Sequence, residues 1–154
     1  MSILESLSQA IIAGTREIFQ TLEMGLENAP PKVVPSGSLH GQVTTLLTFR
    51  EEISGNLCFK CSIPFGAFVC QKMIGCEGKE DDYALLKDAI AEVFNWISGA
   101  IKRHYAEGRK IIISTPMVYV MEEEIEVGDS DEESTCIQFF YEEEEFFVEI
   151  LMNE

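Results

Sequence analysis

The sequence has few basic residues for its length. It contains 11 lysines and arginines against 27 aspartates and glutamates, which gives a formal net charge of -16 at pH 7. Nucleic acids and anionic membranes bind basic surfaces, so this balance argues against both as partners. It favours instead a cytoplasmic protein that stays soluble by self-repulsion.

Signals for membrane insertion and secretion are also absent from the sequence. No apolar run approaches the roughly 20 residues that a membrane-spanning helix needs. The first residues, 1–6, carry no basic start before an apolar core, so we expect no secretory signal. We therefore predict no membrane association.

The sequence lacks a disulfide framework and a recognisable metal site. Its five cysteines are odd in number and irregular in spacing, which is typical of a reducing compartment. Cys58 and Cys61 have the spacing of a metal or redox pair, but they lie in a predicted strand, where residues three apart face opposite sides. Asp129-x-Asp131 lacks the remaining ligands of a calcium loop. We predict no metal and no cofactor of the protein's own.

Motifs of a self-contained enzyme are missing as well. The sequence has no glycine-rich phosphate loop and no Rossmann fingerprint. His40 and His104 have no serine or cysteine at a spacing that suggests a nucleophile pair, and we interpret both as surface residues. A hydrolase with its own metal is therefore not supported.

What the sequence does contain is enough apolar material for a core. Its 154 residues are 46% hydrophobic, which is typical of one globular domain over residues 1–154. The predicted order is helix, two strands, two helices and three strands, an α+β fold with antiparallel sheets. We predict helices at 3–24, 65–74 and 82–107, and strands at 42–50, 56–63, 111–121, 135–141 and 146–152. Residues 32–38 are interpreted as a connector, and the acidic segment 122–133 as a solvated loop.

The long predicted helix carries the most informative pattern. Asp88, Glu92, Asn95 and Gly99 follow one another at steps of four, three and four, so they form one stripe at about 100° per residue. Apolar residues recur on the opposite face at Tyr83, Leu86, Ile90, Val93, Ile97 and Ile101. A solvated helix surface is the plainest interpretation. A docking surface is favoured by Gly99, because glycine costs about 1 kcal/mol inside a helix. It is also favoured by Trp96, the only tryptophan, which follows Asn95 near the edge of the same face.

This spacing resembles a known family. Glu92-x-x-Asn95, preceded by Asp88 and followed by Gly99, is similar to the phosphatase motif of the chemotaxis proteins CheC and CheX. The segment 111–120, with its central proline, resembles the strand that follows this helix in the family. Segments 53–59 and 73–75 resemble the glycine-led strand and the end of the short helix that precede it. The first predicted helix has no Glu-x-x-Asn, so one site is available, which favours the CheX branch.

The resemblance implies a fold and an activity. It implies a long active-site helix with two further helices packed on one face of the antiparallel sheet. It implies a phosphatase that acts on the phosphoaspartate of a CheY-like receiver domain, with Mg²⁺ supplied by that receiver. Glu92 would dock by pairing with the receiver's active-site lysine, and Asn95 would orient the attacking water, because an amide both donates and accepts hydrogen bonds. Asp88, Trp96 and Gly99 would shape the binding surface.

The resemblance also leaves alternatives open. Trp96 is bulkier than expected beside the family's asparagine, so this chain departs from the family at that position. A relative of this fold could bind a receiver or a flagellar-switch component as a non-catalytic adaptor, or serve as a dimerisation module. The single-site branch resembles a homodimer joined through sheet edges, and the apolar strand 146–152 is predicted to provide such an edge.

Overall fold

The computed structural model describes residues 2–26, 30–35, 41–75, 82–105, 110–121 and 133–153. Over these residues the chain forms the helices α1 (Ile3–Thr21), α2 (Ile63–Ile74) and α3 (Tyr83–His104). The strands are β1 (Lys32–Val34), β2 (Val43–Glu51), β3 (Gly55–Cys61), β4 (Ile111–Ile113), β5 (Met117–Val120), β6 (Glu133–Tyr141) and β7 (Glu144–Met152). They form one antiparallel sheet in the order β1-β6-β7-β3-β2-β4, and β5 also pairs with β2.

The helices begin and end where the local chemistry favours it. Ser62 caps α2, and Gly75 ends it in the left-handed region at a φ of 69°. Asp82 caps α3 by accepting a hydrogen bond from the backbone N–H of Leu85 at 3.1 Å. The last turn of α3 contains Lys102 and Arg103, and such cations are favourable at the negative end of a helix dipole.

The helices share a core with one face of the sheet. Residues alternate along β2, so that Val43, Leu47 and Phe49 are buried with the helices while Leu46 points to the opposite face and is partly exposed. The α+β fold with three helices on an antiparallel sheet is therefore as predicted. No helix in the described residues is long and apolar enough to span a membrane.

The prediction that residues 146–152 form an edge strand is wrong. Residues 146–152 belong to β7, which lies inside the sheet because it pairs with β3 on one side and β6 on the other. The two predicted hairpins thereby join into a single sheet. Its edges are β1, which was predicted to be a connector, and the β4 and β5 side.

Other element boundaries also differ from the prediction. The predicted strand 111–121 is divided at residues 114–116 into β4 and β5, which pair with opposite ends of β2. Pro116, without a backbone N–H, sits at this break, as its residue type predicts. Helix α1 ends at Thr21 rather than at residue 24, and Glu23 takes a left-handed φ of 59°. The predictions for His40 and for residues 122–132 lie outside the described residues.

Candidate functional site

The polar stripe of α3 faces outward, as its periodicity predicts. Asp88, Glu92 and Asn95 are exposed, and Gly99 is half-buried. On the opposite side of the helix the apolar residues are buried against the core, namely Leu86, Ile90, Val93, Ile97 and Ile101. The core therefore fixes the rotation of α3, and that rotation directs the stripe away from the protein.

The functional groups of the stripe are not engaged within the protein. Among the residues that the structure describes, the side chains of Asp88, Glu92 and Asn95 make no hydrogen bond or ion pair. Residues three apart on a helix have Cβ atoms roughly 5–6 Å apart, so Glu92 and Asn95 present a carboxylate and a carboxamide side by side. Such a pair can bind a cation and hold a water molecule at neighbouring points of a partner.

Trp96 and Gly99 give the stripe its shape. Trp96 is 39% exposed, so its indole is available at the border of the stripe and also packs partly on the protein. A Cβ on Gly99 would find one described atom within 4 Å, the Nη1 of Arg103 at 3.8 Å. No close contact with described residues requires glycine at this position. Its effect is to leave a shallow gap on the exposed side of the helix.

Helix α1 supports one end of the stripe through the carboxylate of Glu17, a contact that the sequence pattern did not predict. The guanidinium of Arg103 donates to Oε2 of Glu17, and Nε2 of His104 lies 3.5 Å from Oε1 of the same carboxylate. His104, interpreted as a surface residue, is indeed partly exposed. The pairing joins residues 86 positions apart, which no local pattern reveals. The one sequence feature that places Arg103 at the end of the stripe is its spacing, since it follows Gly99 by four residues on the same side of α3.

Cys58 and Cys61 lie on opposite faces of β3. Cys58 packs against Cys136 and Phe147, whereas Cys61 belongs to the main core. Burial raises the pKa of the Cys58 thiol to about 11 and that of Cys61 to about 12, which makes both poor nucleophiles as free thiols. Across the described ranges, no group of three or more histidine, cysteine, aspartate or glutamate side chains is placed to hold a metal ion.

Comparison with known proteins identifies the family. Residues 43–140 match the family described as chemotaxis phosphatase CheX, and this range includes both Glu92 and Asn95. The match spans more than half of the chain. The protein belongs to the CheX family. No curated protein matches this member of the CheX family in sequence.

Solved structures show the same fold along nearly their whole length. A CheX from Desulfovibrio desulfuricans has a TM-score of 0.81 at 21% identity, covering 96% of this chain and 99% of its own. The CheX–CheY–BeF3–Mg²⁺ complex from Borrelia burgdorferi has a TM-score of 0.76 at 17% identity, and the match covers 96% of this chain and 97% of that chain. FliY of Thermotoga maritima has a TM-score of 0.65 at 13% identity, and the match covers 99% of this chain and 91% of that chain. At these identities the likeness establishes the CheX-like fold.

Proposed function

We propose that this CheX family member accelerates hydrolysis of the phosphoaspartate of a CheY-like receiver domain. The observation that carries the proposal is the exposed pair Glu92 and Asn95, which has no partner among the described residues. The receiver as substrate is supported by the Borrelia burgdorferi structure, in which a protein of this fold is in complex with CheY, BeF3 and Mg²⁺.

The two side chains have different tasks in this proposal. The carboxylate of Glu92 pairs with a lysine of the receiver and sets the register of the two proteins. The amide of Asn95 binds a water molecule, accepting through its oxygen and donating through its nitrogen, and holds it in line with the phosphorus. Water then attacks phosphorus, the bond to the aspartyl oxygen breaks, and inorganic phosphate leaves while the receiver's carboxylate is regenerated.

In this proposal the receiver supplies the metal ion. When bound in the receiver, Mg²⁺ neutralises charge on the phosphoryl oxygens, so the phosphatase itself needs only to position water and partner. Positioning of that kind requires a rigid support. Helix α3 is such a support, because its inward face is buried from Leu86 to Ile101.

The test is the rate of phosphate loss from phosphorylated CheY-like receivers, with and without this protein. We expect the parent to accelerate the loss, and Asn95→Ala to abolish the acceleration while it retains binding. An Asn95→Ala variant as fast as the parent would contradict the assigned role. Binding of the phosphorylated receiver without acceleration by the parent would support the adaptor alternative instead.

We also propose that the protein is a homodimer, joined through the β4 and β5 side of the sheet. The opposite edge, β1, has three residues and is flanked by Pro30, Pro31 and Pro35, which cannot donate backbone hydrogen bonds. Strand β5 carries the exposed side chains of Met117 and Tyr119. An apolar edge of this kind favours pairing with a second copy.

A further inference from the structure

The stripe of α3 continues beyond Gly99 to a positively charged group. Arg103 lies four residues after Gly99, about 40° further around the helix. The Nη1 of Arg103 lies 3.8 Å from the position that a Cβ on Gly99 would occupy, so the guanidinium folds back over the glycine. Because Gly99 has no side chain, the guanidinium can lie at this position on the helix surface.

Helix α1 holds this guanidinium in place. Glu17 accepts a hydrogen bond from Nη2 of Arg103, and α1 is fixed against α3 where Gly14 meets Ala100 and Ile101. The pair is exposed, with 62% of the Arg103 side chain and 41% of the Glu17 side chain accessible. Exposed ion pairs contribute little to stability. The contact therefore orients the arginine more than it stabilises the fold.

The oriented guanidinium retains unused capacity for binding. A guanidinium has five N–H donors in a rigid fork, which suits a carboxylate. In the described structure the Arg103 side chain donates to one acceptor, Oε2 of Glu17. The remaining donors lie on an exposed side chain at the end of the proposed docking face.

Charge along the face is divided between its two ends. Asp88 and Glu92 are acidic, Lys102 and Arg103 are basic, and Asn95 between them is neutral. From Glu92 to Arg103 the helix rises about 16 Å. Glu17 of α1 adds one negative charge beside Arg103, so with Lys102 this end keeps a net positive charge. A complementary partner carries a cation opposite Glu92 and an anion opposite Arg103.

We propose that Arg103 is a specificity-determining residue that binds a carboxylate on the receiver surface beside the phosphorylation site. Glu17 is the positioning residue that holds the guanidinium in the orientation this contact needs. The inference deepens the proposed function and rests on it for the identity of the partner. The competing interpretation is that the pair only ties α1 to α3.

The test measures binding and turnover separately. CheY-like receivers, each loaded with BeF3 and Mg²⁺, are titrated with the parent, Arg103→Ala and Lys87→Ala. The same receivers, phosphorylated, provide kcat and KM. We expect Arg103→Ala to raise Kd and KM about tenfold, the size of one charge-assisted contact, with kcat within about twofold of the parent. Lys87→Ala is the matched control, because it removes an exposed positive charge from α3 away from the stripe, and it should leave both constants unchanged.

Glu17→Gln tests the positioning role. It retains the size of the side chain and removes its charge, so we expect KM to rise about threefold with kcat and melting temperature unchanged. A structural tie alone would leave KM as in the parent. Arg103→Lys should recover part of the affinity, since lysine keeps the charge without the fork.

The outcomes separate this inference from the proposed function. If the parent binds a receiver and Arg103→Ala binds equally well, the inference is overturned, whatever the turnover. If the parent binds without accelerating phosphate loss and Arg103→Ala binds about tenfold more weakly, the inference stands and the phosphatase proposal fails. A parent that neither binds nor dephosphorylates any of the organism's receivers overturns both.

Discussion

Gly14 of α1 lies directly against Ala100 of α3. A Cβ placed on Gly14 would be 3.2 Å from the Cβ of Ala100 and 2.9 Å from the backbone nitrogen of Ile101. The second distance is shorter than folded proteins tolerate, and backbone cannot move aside as a flexible side chain can. The crossing of α1 and α3 therefore depends on the absence of a side chain at residue 14, and this crossing supports the helix that carries the proposed site.

Gly14→Ala should accordingly separate the two helices. We expect a loss of about 1–3 kcal/mol in the free energy of unfolding, the usual cost of an extra methyl group in a packed interface. Chemical denaturation followed by circular dichroism measures it. Gly25→Ala is the control, since a Cβ there meets no described atom within 4 Å, and its stability should match the parent. Equal stability of both variants would show that the crossing can relax.

Glu92 should affect docking without affecting the fold. Its side chain is exposed and has no partner among the described residues, so Glu92→Ala should change the free energy of unfolding by less than about 0.5 kcal/mol. In the proposed mechanism it should weaken receiver binding and slow dephosphorylation together, whereas Asn95→Ala affects the rate alone. Calorimetric titration with a BeF3-loaded receiver, beside the phosphate-release assay, distinguishes these patterns. A Glu92→Ala variant with the parent's affinity would remove the docking role.

Local periodicity was sufficient to predict the site helix. The spacing of Ile90, Val93 and Ile97 defines a buried face of α3, and the positions of Glu92 and Asn95 relative to it follow from helix geometry alone. A capping residue at Asp82 and basic residues in the last turn agree with the same assignment. The strands β2, β3, β6 and β7 were also anticipated to within about two residues.

Pairings between distant segments could not be predicted. The two hairpins join into one sheet because β3 pairs with β7, where Phe59 lies opposite Val148. No local sequence signal specifies that these two strands pair. Both segments are apolar strands that fit an edge or an interior position. The contact of Glu17 with Arg103 also joins distant segments, so no local pattern predicts it. Strand β1 was missed because three residues between prolines give too short a pattern.

Trp96 should report receiver docking through its fluorescence. The ring is 39% exposed at the border of the stripe and is the only tryptophan, so its emission reports this one position. A docked receiver without tryptophan should bury the indole further and shift its emission. Trp96→Ala should cost about 2 kcal/mol of binding if the ring is an interface anchor. An unchanged spectrum at saturating receiver, with a large drop in melting temperature for Trp96→Ala, would assign the ring to the core instead.

Burial of Cys58 should make the free energy of unfolding decrease at alkaline pH. Burial, the main cause, raises the pKa of its thiol from 9.0 to about 11, with Glu149 adding to the rise and Lys60 opposing it. Between pH 9 and about pH 11 the thiol is largely deprotonated in the unfolded chain and protonated in the folded chain. The contribution to stability is thus complete below pH 9 and falls as pH rises toward about 11. Melting temperatures of the parent and Cys58→Ser between pH 7 and 10 measure it, and Cys58→Ser should fall less steeply above pH 9.

The sheet edge formed by β5 should control assembly. Met117 is 56% exposed there, and a lysine on an edge strand opposes pairing by placing a strongly hydrated charge in the contact. Met117→Lys should therefore convert a dimeric parent into a monomer with little loss of stability, because the native side chain already faces solvent. Light scattering at high micromolar concentration gives the mass. Val33→Lys provides the control on the opposite edge, where Val33 of β1 is 74% exposed, and it should remain dimeric. A monomeric parent would contradict the dimer, whereas dissociation by Val33→Lys alone would place the interface on β1.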